Sequence, residues 1–403
     1  MVVAVEAAPA PAIVVVREYD GARDRRGVEE VERACEVGSS GGGKMCLFTD
    51  LLGDPLCRIR HSPAFLMLVA ETATGPNSTE IAGLVRGCVK TVVSGTTHAN
   101  DPIYTKVGYV LGLRVSPRHR RKGVGKKLVD RMEEWFRQTG AEYSYMATEQ
   151  DNEASVRLFT GRCGYAKFRT PSVLVHPVFG HALRPSRGAA IVRLDPREAE
   201  LLYRWHFAGV EFFPADIDAV LSNGLSLGTF LAVPEGTARW EGVEAFLAAP
   251  PESWAVLSVW NCKDAFRLEV RGAPRLMRAA AGATRLVDRA APWLGIPSIP
   301  NLFAPFGLYF LYGLGGAGAG APRLARALCR HAHNMARDGG CGVVATEVSA
   351  CEPVRAGVPH WARLGAEDLW CIKRLADGYS AGPLGDWTKA PAGHSIFIDP
   401  REF

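Results

Sequence analysis

The sequence predicts a mixed α+β chain made of two related units in tandem, each a central sheet flanked by helices, with the second unit degenerate. Three observations lead there. Residues 109–116 alternate in the manner of a strand, and a basic, glycine-punctuated corner then turns the chain into an amphipathic helix. The same order of strand, glycine-rich turn, helix and strand returns over residues 307–347, where CGVVATE echoes the earlier YSYMATE. A chain of 403 residues also exceeds what one hydrophobic core usually serves and suits two domains. They are expected at residues 1–180 and 190–379, joined by a linker at 181–189 and followed by a tail at 380–403.

Each element has a local reason. Residues 13–18 read as a first strand and 27–37 as a short helix with Val28, Val31 and Cys35 on one side. SSGGGK at 39–44 is a flexible stretch. Strands follow at 65–71 and 81–93 around a turn at Pro76, then a polar loop at 96–106. Pro117 ends the 109–116 strand, and Val124, Leu128, Val129, Met132, Trp135 and Phe136 recur at threes and fours along a helix that Gly140 caps. A strand runs to Glu149, a helix starts near Asn152, and 165–175 closes the first sheet. Gly180, Pro185 and basic residues at 179–187 mark the boundary. Beyond it, 198–207 and 268–281 read as helices and 228–233 and 254–260 as strands. Residues 307–312 are strand-like, and 313–321 form a turn without arginine or lysine. Residues 322–337 are a helix opened by Pro322, and 341–347 and 369–372 are closing strands.

The corner carries the chemistry. Arg120, Arg121, Lys122, Gly123, Val124, Gly125 and Lys126 sit where a helix begins, with its first N–H groups lacking intrahelical partners. Glycines let a ligand approach the backbone, so the corner suits a phosphate or pyrophosphate. Neither the dinucleotide pattern G-x-G-x-x-G after a strand nor the P-loop pattern G-x-x-x-x-G-K-[ST] is present here.

Apolar residues at 47% and charged residues at 22% are ordinary for a folded soluble protein, and no apolar run reaches the roughly 20 residues a membrane helix needs. The apolar opening lacks the basic flank of a secretory signal, and ten cysteines without a C-x-x-C pair read as reduced structural thiols. An intracellular protein without a metal site is the expectation. Cys329, His331 and His333 are the one tempting metal group, but alternate residues of a helix do not face each other. A net charge of +5 is modest and its strongest cluster already has a pyrophosphate to explain it, so direct nucleic-acid binding is not inferred.

Arg120, Gly123 and Gly125 match the fixed positions of [RQ]-x-x-G-x-[GA], and NEASVRLFTGRCGY at 152–165 resembles the second block that follows it in the GNAT superfamily of N-acetyltransferases. The layout of one intact and one degenerate unit resembles the HOOKLESS-type N-acetyltransferases of plants. That resemblance implies a mostly antiparallel mixed sheet with a splayed central strand pair, acetyl-CoA as donor, and a peptide or protein amine as acceptor. Backbone at Leu113 and Val115 would pair with the pantetheine arm, the amides of 121–126 would hold the pyrophosphate, and Asn152 and Ser155 would touch the arm. A nuclear histone or other protein-lysine acetyltransferase in a plant regulatory pathway is the leading expectation. A protein N-terminal or small-amine acetyltransferase, and an acetyl-CoA-binding regulator without turnover, are the alternatives. The degenerate unit is expected to bind CoA weakly or not at all.

Proton transfer has two candidates. Tyr109 stands where histone-type relatives carry a glutamate, but a tyrosine near pKa 10 is a poor base at neutral pH. Glu149, on the same strand face as Ala147, is the other. Glu71, Glu80 and His98 are lesser candidates, and Phe159 stands where relatives carry a tyrosine acid.

Overall fold

The computed structural model describes residues 14–35, 45–75, 78–94, 102–237, 240–376 and 385–403. The 39–44 stretch, the Pro76 turn, His98 and the start of the tail lie outside the described residues. From the N-terminus come β1 (Val14–Glu18), α1 (Gly21–Ala34), β2 (Cys46–Asp50), β3 (Ala64–Gly75), β4 (Ser78–Val93), β5 (Tyr104–Val115), α2 (Val124–Gln138), β6 (Tyr143–Glu149), α3 (Glu153–Arg162), β7 (Ala166–Arg169) and β8 (Ser172–Pro177). The rest supplies β9 (Ala189–Leu194), α4 (Pro196–His206), α5 (Ile217–Leu221), β10 (Ser226–Pro234), α6 (Val243–Ala248), β11 (Trp254–Asn261), β12 (Arg267–Arg271), α7 (Arg275–Ala290), β13 (Gly307–Ala317), α8 (Ala321–Asp338), β14 (Cys341–Val348) and β15 (Ala366–Arg374).

Thirteen strands join in one mixed sheet, ordered β1-β3-β4-β5-β6-β15-β8-β14-β13-β11-β10-β9, with β7 also on β15. Among the described strand pairs only β5–β6 and β13–β14 run parallel, apart from an isolated bridge between Glu211 and Ile396. The α+β class with helices flanking a mixed sheet is what the sequence predicts. The partners at the seam differ from the sequence reading. Residues 165–175 do not close the first half: β8 pairs antiparallel with β14, Val343↔Pro177 through Val348↔Ser172. In its place β15 covers β6, from Arg374↔Tyr143 to Asp368↔Glu149. Length and burial explain the exchange. β7 has four residues, two of them exposed, whereas β15 has nine and buries Leu369 to Ile372 on both faces, as a central strand must.

Residues 268–281 also differ from the helix expected there. Leu268 and Val270 belong to β12, which pairs with β2 as a separate two-stranded sheet, and Pro274 then opens α7. The linker is anchored rather than loose. Phe179 N–H donates to His333 Nε2 at 2.9 Å, Gly180 N–H to Asp288 Oδ2 at 2.8 Å and Leu183 N–H to Asn334 Oδ1 at 2.8 Å.

One face of the sheet carries α2 and α8, each over its own cluster of buried apolar side chains. On the other face a single core runs across the seam, joining Val28 and Val31 of α1 to Tyr109, Tyr145, Trp370, Ala345 and Phe310, and on to Trp387 and Phe397 near the C-terminus. The end of the chain is therefore an inner layer of this face.

Candidate active site

β5 and β6 pair from Val107↔Tyr143 to Val110↔Met146, after which both strands continue without pairing to each other. The cause lies in β5. Gly112 has φ +60 where the β4–β5 register shifts, and a Cβ there would lie 2.7 Å from Arg86 Nη1, so this bulge demands glycine. The backbone edge of Leu113 to Val115 thus faces an opening toward β6. That edge is braced from behind: Arg114 and Arg86 both pair with Glu32 of α1, and Cys35 Sγ lies 3.2 Å from the Val115 carbonyl.

The corner beyond β5 is shaped for an anion. Arg121 has φ +63 and Gly123 φ +81, so successive N–H groups turn inward ahead of α2, and Gly123 supplies no side-chain cap to the helix. A Cβ on Gly123 would meet nothing within 4 Å. Arg120, Arg121, Lys122 and Lys126 are exposed; Lys126 pairs with Asp130 at 2.5 Å, and Arg120 Nε donates to the Val115 carbonyl at 3.3 Å. Val124 is buried in the α2 core, which leaves only its amide to the cradle, and Gly125 lies against Leu158 and Val115. Unsatisfied donors, open space and basic side chains fit a pyrophosphate.

β13 has a similar glycine at a register shift, but the space at the turn that follows it is filled. Gly313 has φ +57 at a register shift in β13, as Gly112 does in β5. Gly316, Gly318 and Gly320 lie against Glu252, Ser253 and Trp254, and Gly320 N–H donates to Ser253 Oγ at 3.0 Å. Between the ends of β13 and β14 remains a void of about 10 Å³ lined by Leu311, Thr346, His176 and Cys329, room for about one water.

On the face opposite α2, Tyr109 stacks on Tyr145 at 4.7 Å and Tyr145 on Trp370 at 5.5 Å. Tyr109 is 8% exposed, and burial, then the charge of Glu402, pushes its phenol well above 10. It is an aromatic wall rather than a ready base. Glu149 is partly exposed at the end of β6, raised by burial and by Asp151. Asp368 sits opposite it in register, and Glu347 accepts from Trp370 Nε1 at 2.9 Å. Tyr145 donates to Glu402, which also meets Lys90 at 2.7 Å; Lys90 in turn pairs with Asp399, and Asp399 with Arg401. Asp368 and Glu402 are residues that sequence reasoning missed. Neither lies near a motif, and Glu402 sits in the terminal DPREF of a tail to which no role is assigned from sequence.

Other expected residues have structural work. Asn152 caps α3 through Ser155 N–H at 3.2 Å and donates to Thr148 Oγ1 at 3.1 Å, leaving the Ser155 hydroxyl at the partly exposed start of the helix. Phe159 is a core residue, edge-on to Tyr165. Glu71 accepts from Thr79 and pairs with Arg17 and Arg23, which holds it ionised below the usual carboxylate range, and Glu80 meets His119 at 2.7 Å. His331 lies against Phe230 while His333 turns to the Phe179 amide.

A sequence model of the Acetyltransferase (GNAT) family matches residues 49–165. Over 407 residues the chain is 61% identical to an Arabidopsis thaliana protein named Probable N-acetyltransferase HLS1, covering 97% of this chain and 100% of that one. It is 42% identical over 431 residues to Acetyl transferase GW6a of Oryza sativa subsp. japonica, covering 97% and 98%. Among solved structures, Saccharomyces cerevisiae N-myristoyltransferase with bound myristoyl-CoA is similar at a TM-score of 0.55 and 10% identity, over 92% of this chain and 81% of that one. A GCN5-related glucosamine N-acetyltransferase region of a fungal multi-domain GH3 beta-N-acetylglucosaminidase has a TM-score of 0.55 at 15% identity, over 91% of this chain and 39% of that one. At such identities these two likenesses concern the fold.

Proposed function

The chain belongs to the acetyltransferase (GNAT) family and is an acetyl-CoA-dependent N-acetyltransferase, and we propose that its acceptor is a protein lysine, histone tails being one such acceptor in a plant regulatory setting. One observation carries the reading above the others. Carboxylates of Glu149, Asp368 and Glu347 gather on the aromatic face beside the open end of β5 and β6, with no cation pairing to them among the described residues. An alkylammonium is the charge they lack. Exposed Asp151 and Glu367 extend the same sign outward, which suits a basic peptide better than a small neutral amine.

Acetyl-CoA supplies an activated acetyl group as a thioester. On this reading the amides of Arg121 to Lys126 hold its pyrophosphate, and the side chains of Arg120, Arg121, Lys122 and Lys126 add longer-range attraction. Backbone of Leu113 and Val115 lines the pantetheine arm, and an amide on that edge polarises the thioester carbonyl. Asn152 and Ser155 border the arm at the start of α3. Tyr109, Tyr145 and Trp370 keep water from the reacting face. We further read residues 1–180 as the donor-binding unit and 190–379 as its degenerate duplicate.

Histone-tail peptides, peptides with free N-termini but no lysine, and small amines, assayed together for CoA release and acetylated product, test the acceptor. Turnover of the lysine peptides is expected. Turnover confined to the other two classes sinks the lysine reading, and a preference for free N-termini favours the protein N-terminal reading that Tyr109 suggests.

A further inference from the structure

Glu347 ends CGVVATE in the second half as Glu149 ends YSYMATE in the first. The exchanged strands put β8 and β15 between β14 and β6, so Glu347 shares the face of Trp370 and Asp368 and reaches Trp370 at 2.9 Å. It is 8% exposed, one carboxylate oxygen takes the indole N–H, and the other has no hydrogen-bond partner among the described residues. Its position therefore resembles neither a surface acid nor a structural ion pair. A buried carboxylate without a cation is unfavourable for stability, and such groups concentrate where chemistry uses them.

We propose, resting on the acetyl-transfer reading above, that Glu347 is the general base of the reaction, supplied by the second half to a donor held by the first. Its unpartnered oxygen takes one proton from the acceptor ammonium. The amine lone pair then forms the C–N bond to the thioester carbonyl carbon, and the C–S bond breaks with its electrons going to sulfur. The second nitrogen proton passes to that thiolate, giving CoA-SH and the amide, and Glu347 returns its own proton to solvent past Asp368 and Glu149.

The groups around Glu347 are Asp368 and Trp370 of β15, Glu402 of the C-terminal segment and Tyr109 of β5; Lys90 is engaged behind Glu402 by its own ion pairs. Burial, then Asp368, raises Glu347 to about 8 against the pull of the Trp370 hydrogen bond, while burial, then Glu149, raises Asp368 to about 6. A base poised there is protonated and deprotonated within reach of neutral pH, as proton transfer from an ammonium requires. A buried pair of acids titrates jointly, so removing one moves the other.

The test uses the full chain and a lysine peptide. Glu347→Gln is expected to lower kcat/KM for the acceptor about 100-fold. Acetyl-CoA affinity should stay unchanged, the melting temperature should rise or hold because a destabilising buried carboxylate is removed, and the limb of the pH profile near 8 should vanish. Asp368→Asn is expected to move that limb to lower pH. Difference infrared spectra without ligands should show a carboxyl band titrating near neutrality in the wild type and missing from Glu347→Gln. Wild-type rates and profile in Glu347→Gln overturn the proposal. So do loss of the limb in Glu149→Gln instead, an unmoved limb in Asp368→Asn, or no such infrared band. Absence of acceptor-dependent CoA release from the wild type overturns the acetyl-transfer reading instead, and the infrared titration still decides whether Glu347 ionises near neutrality.

Discussion

Gly123 separates the cost of shape from the cost of charge at the proposed donor cradle. Its φ of +81 is a conformation L side chains resist by about 1–2 kcal/mol, but no atom lies within 4 Å of where a Cβ would stand. Gly123→Ala should therefore fold, lose about that much stability, and still bind acetyl-CoA. Gly123→Asp tolerates the left-handed backbone better and adds a negative charge beside the pyrophosphate. At about 5 Å, Coulomb's law gives about 3 kcal/mol for an effective dielectric of 20 and about 0.8 kcal/mol in bulk water. An exposed loop lies between these limits, so acetyl-CoA binding should weaken roughly 4- to 150-fold, and less as salt is added. Calorimetric titration of acetyl-CoA into wild type and both variants, each checked by circular dichroism, reads the result. A folded Gly123→Asp that binds like wild type refutes the reasoning, and so does an alanine variant that loses as much as the aspartate.

Tyr109→Phe should leave kcat within about threefold, because a buried phenol held well above 10 is not the proton acceptor; a loss near the 100-fold of acid–base catalysis restores it to that role. Asp399, fully buried, accepts from Lys90 and Arg401, so Asp399→Asn should destabilise by about 3–5 kcal/mol in urea unfolding, and a change below about 1 kcal/mol contradicts the pairing. Burial pushes His176, His206 and His333 down to about 4. The unfolded chain then binds more protons between about 4 and about 6.5, so stability should fall as pH drops through that window; a urea midpoint flat over it excludes these histidines as the cause.

What the sequence revealed is what local physics fixes. Arg120 to Lys126 could be read as an anion corner because glycine conformation, helix start and charge all act within one turn. Asn152 was legible as a cap for the same reason, and the helix uses its side chain that way. The partners of β8 and β15 were not legible. Both strands are apolar segments of suitable length, and which one covers β6 depends on contacts with residues far along the chain. The same holds for the terminal segment. Charged residues such as Asp399, Arg401 and Glu402 are seldom buried without partners, and those partners, Lys90 and Asp216, stand on elements far away in sequence. Glu347 was visible as an echo of Glu149, yet strand exchange, which no periodicity encodes, brings it to the shared face.

On the proposed reading, the open corner at residues 120–126 binds acetyl-CoA while the filled turn at 313–321 does not. Amide hydrogen exchange of the free and acetyl-CoA-saturated protein tests it directly. Protection is expected at residues 113–126 along the Leu113 edge and the Arg120 to Lys126 corner, with no change at 313–321, where Ser253 already occupies the turn. Equal protection at both turns, or none at the first, contradicts it.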